Sequence, residues 1–402
     1  MRICLYTATA LPKVGGQESV VDSLARHLLL LGHEAVVLAP RPRRPQRPHD
    51  QSLPYEVVRH PRFISTRDFV SCYGIFLRRL HARRHFDVVH CHDVYPTGYL
   101  AALCKPKLGF PMVITSHGGD IRENNPRLEK AGIPQRILAA LRGADALVSI
   151  APFTERNFRR LYPEARRIVT IPNGIDLLPY AAVARRPPDL DPSIHARKYV
   201  LFLGRLAHRK GVDVLLEAMS LASNDMREGV QLVIAGTGDE QTKLEAMARS
   251  MNLADRVRFV GRVEGDTKIY LLQNALATVM PSRVWEAFPL VVLETFAAAR
   301  PVIGSRVPGI LDLVDDQRTG ILVREEDPAA LSLALREVLA DRDRADRMGA
   351  AAREIADQYS WESITARHVE LYAKLCAGKS QPRQQNDRGL GEEKYQKTDK
   401  PV

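Results

Sequence analysis

Pro281-Ser282-Arg283-Val284-Trp285-Glu286-Ala287-Phe288-Pro289-Leu290-Val291-Val292-Leu293-Glu294 follows an apolar strand and contains a loop and the start of a helix. Each of these two parts carries one glutamate. The apolar run Ala275–Met280 predicts the strand. Pro289 predicts the first turn of the helix, because proline is tolerated at that position. Glu286 then lies in the loop and Glu294 in the helix, so both carboxylates can face one cleft.

The start of this helix at Leu290 and Val291 predicts an anion site. Backbone N–H groups in a first helical turn lack partners within the helix, and the helix dipole favours negative charge there. The two glutamates can accept hydrogen bonds from hydroxyls. A ligand that combines hydroxyls with phosphate is a sugar nucleotide, and the segment suggests that ligand class.

Short apolar runs alternate with amphipathic segments along the whole chain, which is typical of parallel α/β layers. The pattern pauses at Arg-Arg-Pro-Pro-Asp-Leu-Asp-Pro (185–192) and restarts at Tyr199. We therefore predict an α/β fold of two facing, doubly wound, Rossmann-like domains with an interdomain cleft at the carboxyl ends of their strands. The predicted division is a first domain at 1–175, a linker at 176–198, a second domain at 199–357, a helix returning to the first domain at 358–377 and a disordered tail at 378–402.

The chain has 402 residues and a net charge of +11, and the charge is unevenly distributed. Residues 1–175 carry 26 basic and 14 acidic side chains, whereas the remainder is close to neutral. This asymmetry favours an anionic partner, and charge for solubility is the alternative. No basic motif interleaved with aromatic residues appears, so we do not expect a nucleic acid partner.

Three further segments follow predicted strands and carry candidate ligand-binding residues. Gly15 and Gly16 open a helix, where glycines let the backbone approach a phosphate. His117 lies in Ser-His-Gly-Gly-Asp (116–120) and can hydrogen-bond a ligand or be fixed by a neighbouring carbonyl. Arg205 and Lys210 flank one loop and can reach a diphosphate from two sides, and a solvated basic loop is the alternative.

Together these segments resemble glycosyltransferase family 4, the large retaining family with the GT-B architecture of two Rossmann-like domains. The resemblance covers about residues 1–377. It rests on eight motifs in family-like order: Pro12…Gly15-Gly16-Gln17-Glu18, His117-Gly118-Gly119-Asp120, Ile171-Pro172-Asn173-Gly174-Ile175-Asp176, Gly204-Arg205-Leu206…Lys210-Gly211, Ala235-Gly236-Thr237-Gly238, Phe259-Val260-Gly261, Pro281-Ser282…Glu286…Glu294 and Thr319-Gly320.

The resemblance implies roles for the matching residues in binding a nucleoside diphosphate-sugar. Arg205 and Lys210 would neutralise the diphosphate, and Glu286 would hold hydroxyls of the donor sugar. Glu294 would hold the ribose hydroxyls, and His117 would contact the sugar near the reacting carbon. The backbone around Arg262 and Val263 would meet the base, and the Gly15-Gly16 loop would approach the diphosphate and sugar. The remaining donor-binding candidates are Gly236, Leu290 and Val291.

The sequence departs from the family pattern at several positions near the donor site. Ala287 follows Glu286 where Gly or Ser is frequent, and Ala299-Arg300-Pro301 lacks the usual glycine. Pro308-Gly309 stands where two glycines are common, and Asp312 replaces a usual Glu. These changes spare the charged set and concern donor specificity more than activity.

The predicted function is transfer of a sugar from a nucleoside diphosphate-sugar to an acceptor hydroxyl with retained anomeric configuration. No Asp-x-Asp metal site is evident, so we expect no metal ion and no cofactor beyond the donor substrate. The acceptor expected is a lipid-linked glycan or an envelope polysaccharide precursor. Two alternatives remain open, namely an enzyme like a sugar-nucleotide 2-epimerase and a non-catalytic sugar-nucleotide binding protein.

A basic amphipathic segment, Ile75-Phe76-Leu77-Arg78-Arg79-Leu80, suggests contact with an anionic membrane. The alternative is a helix whose apolar side packs on the sheet. No secretory leader is visible, because Met1–Ala10 is predicted to be a strand, and no apolar run reaches the length of a membrane span. We therefore expect a cytoplasmic protein, with peripheral attachment at the inner face of the membrane as a further hypothesis.

Overall fold

A computed structural model of the chain describes residues 1–13, 15–42, 50–62, 70–222 and 230–378. The predicted disordered tail, from residue 379 onward, lies outside these residues. Within them the chain forms two parallel sheets, each covered by helices on both faces.

The first sheet contains strands β1 (Arg2–Tyr6), β2 (Glu34–Pro40), β3 (Glu56–His60), β4 (Val88–Cys91), β5 (Met112–Ser116), β6 (Ala146–Ser149) and β7 (Ile168–Thr170). Their spatial order is β3-β2-β1-β4-β5-β6-β7, and every pairing is parallel. Side chains alternate between the faces: Ile3 and Leu5 enter one core, and Cys4 and Tyr6 enter the other. The helices of this lobe are α1 (Gly16–Leu30), α2 (Gly74–Arg84), α3 (Tyr99–Leu108), α4 (Ile133–Gly143) and α5 (Pro152–Leu161).

The second sheet contains β8 (Tyr199–Leu203), β9 (Gln231–Ala235), β10 (Val257–Gly261), β11 (Thr278–Met280), β12 (Val302–Ser305) and β13 (Gly320–Val323). Their order is β10-β9-β8-β11-β12-β13, again with parallel pairings. The helices that follow the linker segment are α6 (Val212–Ala222), α7 (Gln241–Ser250), α8 (Gly265–Asn274), α9 (Leu290–Ala297), α10 (Pro328–Ala340), α11 (Arg342–Gln358) and α12 (Trp361–Ala377).

Strand β11 is shorter than the apolar run that predicts it. The run begins at Ala275, but the strand begins at Thr278. The backbone N–H of Ala275 still donates to the Leu271 carbonyl and so completes the end of α8. An apolar run cannot distinguish the buried end of a helix from the strand after it.

The chain crosses between the two lobes at two adjacent points. Ile175 forms a parallel bridge with Ser360, and the Trp361 N–H donates to the Ile175 carbonyl at 3.1 Å. Helix α12 then packs beside α1 in the core of the first lobe. The segment 176–198, which the sequence predicts to be a linker, places Leu190 and Ile194 in the core of the second lobe.

The apolar side of helix α2 packs on the first sheet. Leu77 and Leu80 are buried, and Phe76 packs against the same core, whereas Arg78 and Arg79 are exposed. The packing alternative for this segment is therefore the arrangement found, and what α2 offers to solvent is its basic side. In the part of the chain that the structure describes, no helix is both long and apolar enough to cross a bilayer.

Candidate active site

The strand order reverses once in each sheet, and the reversals locate the candidate site. In the first sheet the reversal lies between β1 and β4, and in the second it lies between β8 and β11. Ligands of open α/β sheets bind outside the carboxyl ends of strands at such points. The loops that leave β8 and β11 carry Arg205, Lys210 and Glu286, and the loop that leaves β1 carries Gly15.

Lys210 and Glu286 form the charged centre of the second lobe. Lys210 Nζ donates to Glu286 Oε1 at 2.7 Å, the Ser282 hydroxyl donates to the same oxygen at 2.8 Å, and Arg209 lies 3.3 Å from it. The side chains of Lys210 and Glu286 are 15% and 8% exposed. All three donors meet Oε1, so no described residue donates to Oε2. This oxygen is the one left to receive a hydroxyl of a ligand.

The electrostatics keep this pair ionised. Burial raises the pKa of Glu286, but the Lys210 and Arg209 cations outweigh burial, so its pKa lies below the usual range. Burial lowers the pKa of Lys210, and the Glu286 carboxylate counteracts that effect. A buried carboxylate beside an ammonium is stable only while both partners are present.

Glycines without a Cβ let the loops around Glu286 approach each other. A Cβ on Gly309 would lie 1.8 Å from the Glu286 carbonyl oxygen, and the φ of Gly309 is 88°. The Glu286 N–H also donates to the Pro308 carbonyl at 2.9 Å. A Cβ on Gly211, at φ 65°, would lie 2.0 Å from the Pro281 carbonyl oxygen. The backbone of Glu286 is thus fixed against the 308–309 turn, and the loop after β8 is fixed against the loop after β11.

Arg205 lies on the same loop as Lys210 but remains apart from the salt bridge. Its side chain is exposed, and it forms no ion pair with the described residues. Its charge is close enough to help lower the pKa of Lys210. The loop therefore presents an unpaired guanidinium beside the buried ammonium.

Glu294 lies in a different part of the cleft, on helix α9, which follows the loop that carries Glu286. Lys268 Nζ donates to Glu294 Oε1 at 2.7 Å, and both side chains line a cavity of about 300 Å³ with Leu290. Val291 packs partly buried against the core of the second lobe. The cavity is shared between the lobes, and its remaining walls are Ser19, Val20, Ser23, Gly174, Ile175, Asp176, Pro179, Tyr180, Gly265, Ile269 and Trp361.

Gly15 and Gly16 lie at the start of α1 in the first lobe. Gly15 has an extended backbone, and a Cβ there would lie 2.5 Å from a carboxylate oxygen of Glu18. Gly16 has open space around it. Glu18 is 3% exposed and pairs with Lys13 at 2.8 Å. A buried acid thus lies directly behind the glycine turn.

Gly236, Arg262 and Val263 lie together beside β9 and β10. The Gly236 N–H donates to the Gly261 carbonyl at 2.6 Å, and a Cβ on Gly236 would lie 1.8 Å from the Gly204 carbonyl oxygen. Arg262 is paired with Glu264 on the surface. Val263 packs partly buried against the core of the second lobe. None of these three residues contacts the Lys210–Glu286 pair among the interactions of the described chain.

His117 follows β5 and stacks on a second histidine. The rings of His117 and His92 are parallel within 11°, and His117 Nε2 lies 3.2 Å from His92 Nδ1. Burial lowers the pKa of His117 to about 4, so its ring is neutral at neutral pH. The sequence does not single out His92, although the spacing His90-x-His92 at the end of β4 was available as a signal.

A contact that joins the lobes is also not predicted from the sequence. Trp285, next to Glu286, stacks on Phe153 of the first lobe with centroids 5.0 Å apart and planes within 11°. The Arg122 guanidinium lies 5.6 Å from the centroid of the same indole. A Cβ on Gly118 would lie 2.5 Å from Cβ of Ala287. The loops that carry His117 and Glu286 therefore touch each other across the cleft.

Among the described residues, no group of three or more His, Cys, Asp and Glu side chains is arranged to hold a metal ion.

Two protein families match the chain over consecutive parts. The family described as "Glycosyltransferase Family 4" matches residues 14–177, and the family described as "Glycosyl transferases group 1" matches residues 191–355. Among similar proteins, a glycogen synthase of Mycobacterium tuberculosis is 30% identical over 77% of this chain and 74% of that protein. A GDP-mannose-dependent alpha-(1-6)-phosphatidylinositol monomannoside mannosyltransferase of the same species is 28% identical over 92% of this chain and 97% of that protein.

Solved structures share the fold. Sucrose-phosphate synthase from Thermosynechococcus elongatus superposes with a TM-score of 0.75 at 24% identity and covers 94% of this chain and 100% of that one. Anabaena HepE in complex with UDP superposes with a TM-score of 0.76 at 18% identity and covers 93% of this chain and 100% of that one. At these identities the likeness concerns the fold alone, and it confirms the predicted arrangement of two facing Rossmann-like lobes.

Proposed function

The chain belongs to glycosyltransferase family 4 and is a glycosyltransferase with the GT-B fold, and from this premise we propose that it transfers a sugar from a nucleoside diphosphate-sugar to an acceptor hydroxyl with retained configuration. The observation that carries the proposal is the Lys210–Glu286 pair at the strand reversal of the second sheet. It joins a cation for the diphosphate to a carboxylate with one unoccupied oxygen for the sugar hydroxyls.

The leaving group needs positive charge as the glycosidic bond breaks. The nucleoside diphosphate gains negative charge in the transition state, and groups already in place stabilise that charge most effectively. Lys210 and Arg205 supply two cations, and the N-terminus of α9 at Leu290 supplies backbone N–H groups and a favourable dipole. In this proposal these groups stabilise the departing diphosphate directly.

We propose front-face attack as the route to retention. Lys210 and Ser282 donate to one oxygen of Glu286, and in this proposal its other oxygen holds sugar hydroxyls. The acceptor oxygen bonds to the anomeric carbon on the face from which the diphosphate departs, and the bond between that carbon and the diphosphate oxygen breaks. A phosphate oxygen of the departing nucleoside diphosphate takes the proton of the acceptor hydroxyl. Glu294 with Lys268 lines the interlobe cavity and is proposed to hold the ribose, and the backbone at Arg262 and Val263 to meet the base.

The acceptor is proposed to be a lipid-linked glycan or envelope polysaccharide precursor that approaches over the basic first lobe. The exposed arginines of α2, at positions 78, 79 and 83, provide charge for an anionic membrane surface. The similarity to a phosphatidylinositol monomannoside mannosyltransferase supports an acceptor of this kind. Because the apolar side of α2 is packed on the sheet, such contact would be electrostatic and would weaken with salt.

The donor is tested by thermal shift with UDP-, GDP- and ADP-sugars, followed by mass spectrometry of slow donor hydrolysis. A bound donor raises the unfolding temperature, because it binds the folded chain alone. Lys210→Ala should abolish the shift, and Lys243→Ala, on an exposed surface pair, should leave it unchanged. Conversion of the donor to an epimer without any acceptor would favour the epimerase hypothesis. A donor that stays intact in every acceptor mixture would favour the hypothesis of a binding protein.

The membrane contact is tested by co-sedimentation with vesicles that contain or lack anionic lipid. Replacement of Arg78, Arg79 and Arg83 by Glu should release the protein. The matched control replaces three exposed arginines of the second lobe, at 249, 324 and 347, by Glu. Equal loss in both variants, or no dependence on anionic lipid, would remove the membrane from the proposal.

A further inference from the structure

Four histidines, three of them buried, form a row that runs from the cleft to the last helix. The ring centroids of His92 and His117 are 5.5 Å apart, those of His90 and His92 are 4.3 Å apart, and those of His90 and His368 are 5.6 Å apart. His90, His92 and His368 are at most 5% exposed. Only His117, at the cleft end, is partly exposed. His117 is therefore the one ring of the four that a ligand can reach.

The hydrogen bonds of the row leave one choice open, namely which ring donates between His92 and His117. His90 is satisfied at both nitrogens, by the Tyr372 hydroxyl and the Thr115 hydroxyl, each at 2.7 Å. The hydrogen bond between His92 Nδ1 and His117 Nε2 contains one proton, and one of the two nitrogens carries it. Burial lowers the pKa of both rings, so each is neutral and carries one proton.

The unpartnered nitrogen of His92 decides this choice. Its Nε2 is buried and has no hydrogen-bond partner among the described residues. If His117 donated, His92 would carry its proton on Nε2 as a buried N–H without an acceptor, and such orphaned donors are rare and unfavourable. If His92 donates from Nδ1, Nε2 holds only an unused lone pair. The second arrangement therefore has the lower free energy.

We propose that His92 is a positioning residue that donates from Nδ1 to His117 Nε2 and so makes His117 present an Nδ1–H group to the cleft. His117 then recognises an oxygen acceptor on the donor sugar or its phosphate, and it has no free lone pair with which to take the acceptor proton. This inference rests on the proposed function, because it specifies how a residue of the same site meets the ligand.

The backbone of His92 is fixed independently of its ring. Its N–H donates to the Tyr6 carbonyl at 2.9 Å, and its carbonyl accepts from the Gln17 amide at 3.1 Å. A substitution of the side chain therefore changes what the ring does while the end of β4 keeps its anchors. This permits a comparison of variants that differ only in where a donor lies.

The experiment compares three variants of His92 in the full-length protein. In His92→Asn the amide nitrogen lies near the place of Nδ1 and can still donate to His117, whereas in His92→Gln the amide lies one bond further out and cannot. His92→Leu removes the donor. We expect His92→Asn to retain kcat within about 3-fold and the other two to lose at least about 10-fold, with the donor KM little changed because Lys210 and Arg205 still hold the diphosphate.

The matched control is His368→Leu, which changes a buried ring of the same row that has no bond to His117. It should leave kcat unchanged. Equal losses in the Asn, Gln and Leu variants would overturn the proposal, because they would indicate a packing role alone. If the Leu variant does not fold, the Asn and Gln pair still decides.

A second measurement needs no activity. Imidazole nitrogen resonances of ¹⁵N-histidine protein distinguish a protonated nitrogen from a bare one, and comparison with His117→Gln assigns the His117 signals. The proposal requires a protonated Nδ1 and a bare Nε2 on His117, and the reverse pattern would refute it. If the wild type turns over no donor, the proposed function fails. The nitrogen resonances of His117 still test the proposed proton position, because they do not depend on turnover.

Discussion

Lys210 and Glu286, which come from the loops after two neighbouring strands, form a salt bridge at 2.7 Å. The resemblance assigns them to different parts of one ligand, the diphosphate and the sugar. The salt bridge holds both side chains at the strand reversal. Arg209 and Ser282 also contact the carboxylate, so Glu286 has partners besides Lys210.

Loss of Lys210 should affect activity and stability separately. We expect Lys210→Ala to lower kcat/KM on the order of 100-fold or more, because a charge-stabilising group is lost. It should also destabilise the fold by about 3 kcal/mol, because Glu286 becomes a buried carboxylate with weaker partners. The double variant Lys210→Met with Glu286→Leu should recover stability in urea titration without recovering turnover. Near-normal turnover in both Lys210→Ala and Arg205→Ala would remove the proposed leaving-group chemistry.

Gly309 should be intolerant of a side chain for a reason beyond its φ. Gly309→Ala places a Cβ 1.8 Å from the Glu286 carbonyl oxygen and must displace Glu286, so activity should fall more than about 10-fold. The control is Gly32→Ala, which has a similar φ of 77° but open space. The control should lose only about 1–2 kcal/mol of stability from the left-handed backbone and keep its kcat. Equal activities in the two variants would show that the 308–309 turn does not hold Glu286.

Much of the fold and part of the site could be predicted because they depend on local sequence. Alternating apolar runs indicate parallel strands, and the strand ends bring Lys210 and Glu286 together once the sheet order is known. The sequence also places Arg205 and Glu294 in the second lobe. What it cannot give is which of these charges pair with each other, because that depends on side-chain geometry across two loops.

Contacts between distant parts of the chain lay beyond the sequence. Trp285 stacks on Phe153 only because the two lobes face each other at a particular angle. His368 joins His90 only because the last helix packs on the first lobe. Leu190 is buried although it lies in a proline-rich segment with the composition of a linker. Neither periodicity nor composition carries information on such long-range packing.

The contacts of Trp285 with Phe153 and Arg122 should favour closure of the lobes. Trp285→Ala removes an aromatic stack and a cation–π contact, which together contribute on the order of 1–2 kcal/mol. We expect about a 10-fold rise in donor KM and a larger radius of gyration in solution scattering. Trp285→Phe keeps the stack on Phe153 and should restore most of the affinity. If the Ala and Phe variants behave alike, the stack does not contribute to closure.

The buried histidine row should make the fold sensitive to acid. Burial lowers the pKa of His368 to about 4, whereas the unfolded chain has the ordinary value near 6.5. Between these values the unfolded state binds more protons than the folded state, so the free energy of unfolding falls as the pH falls from about 6.5 to about 4. His368 alone contributes about 3 kcal/mol to this loss as an upper figure. Asp93 acts in the opposite direction, because burial raises its pKa to about 8.

A single-site comparison separates these opposing effects. His368→Leu removes one group that the unfolded chain protonates, so the slope of unfolding free energy against pH should fall by up to about 1.4 kcal/mol per pH unit between pH 6 and 5. Urea titrations of wild type and variant at pH 7, 6 and 5 measure that slope. At pH 7 His368 of the wild type is neutral in the folded chain and largely neutral in the unfolded chain, so the difference there reports mainly packing and the hydrogen bond to the Ile364 carbonyl. Parallel curves for the two proteins across this range would mean that His368 is not held neutral by burial, and acid sensitivity would then have to originate elsewhere in the chain.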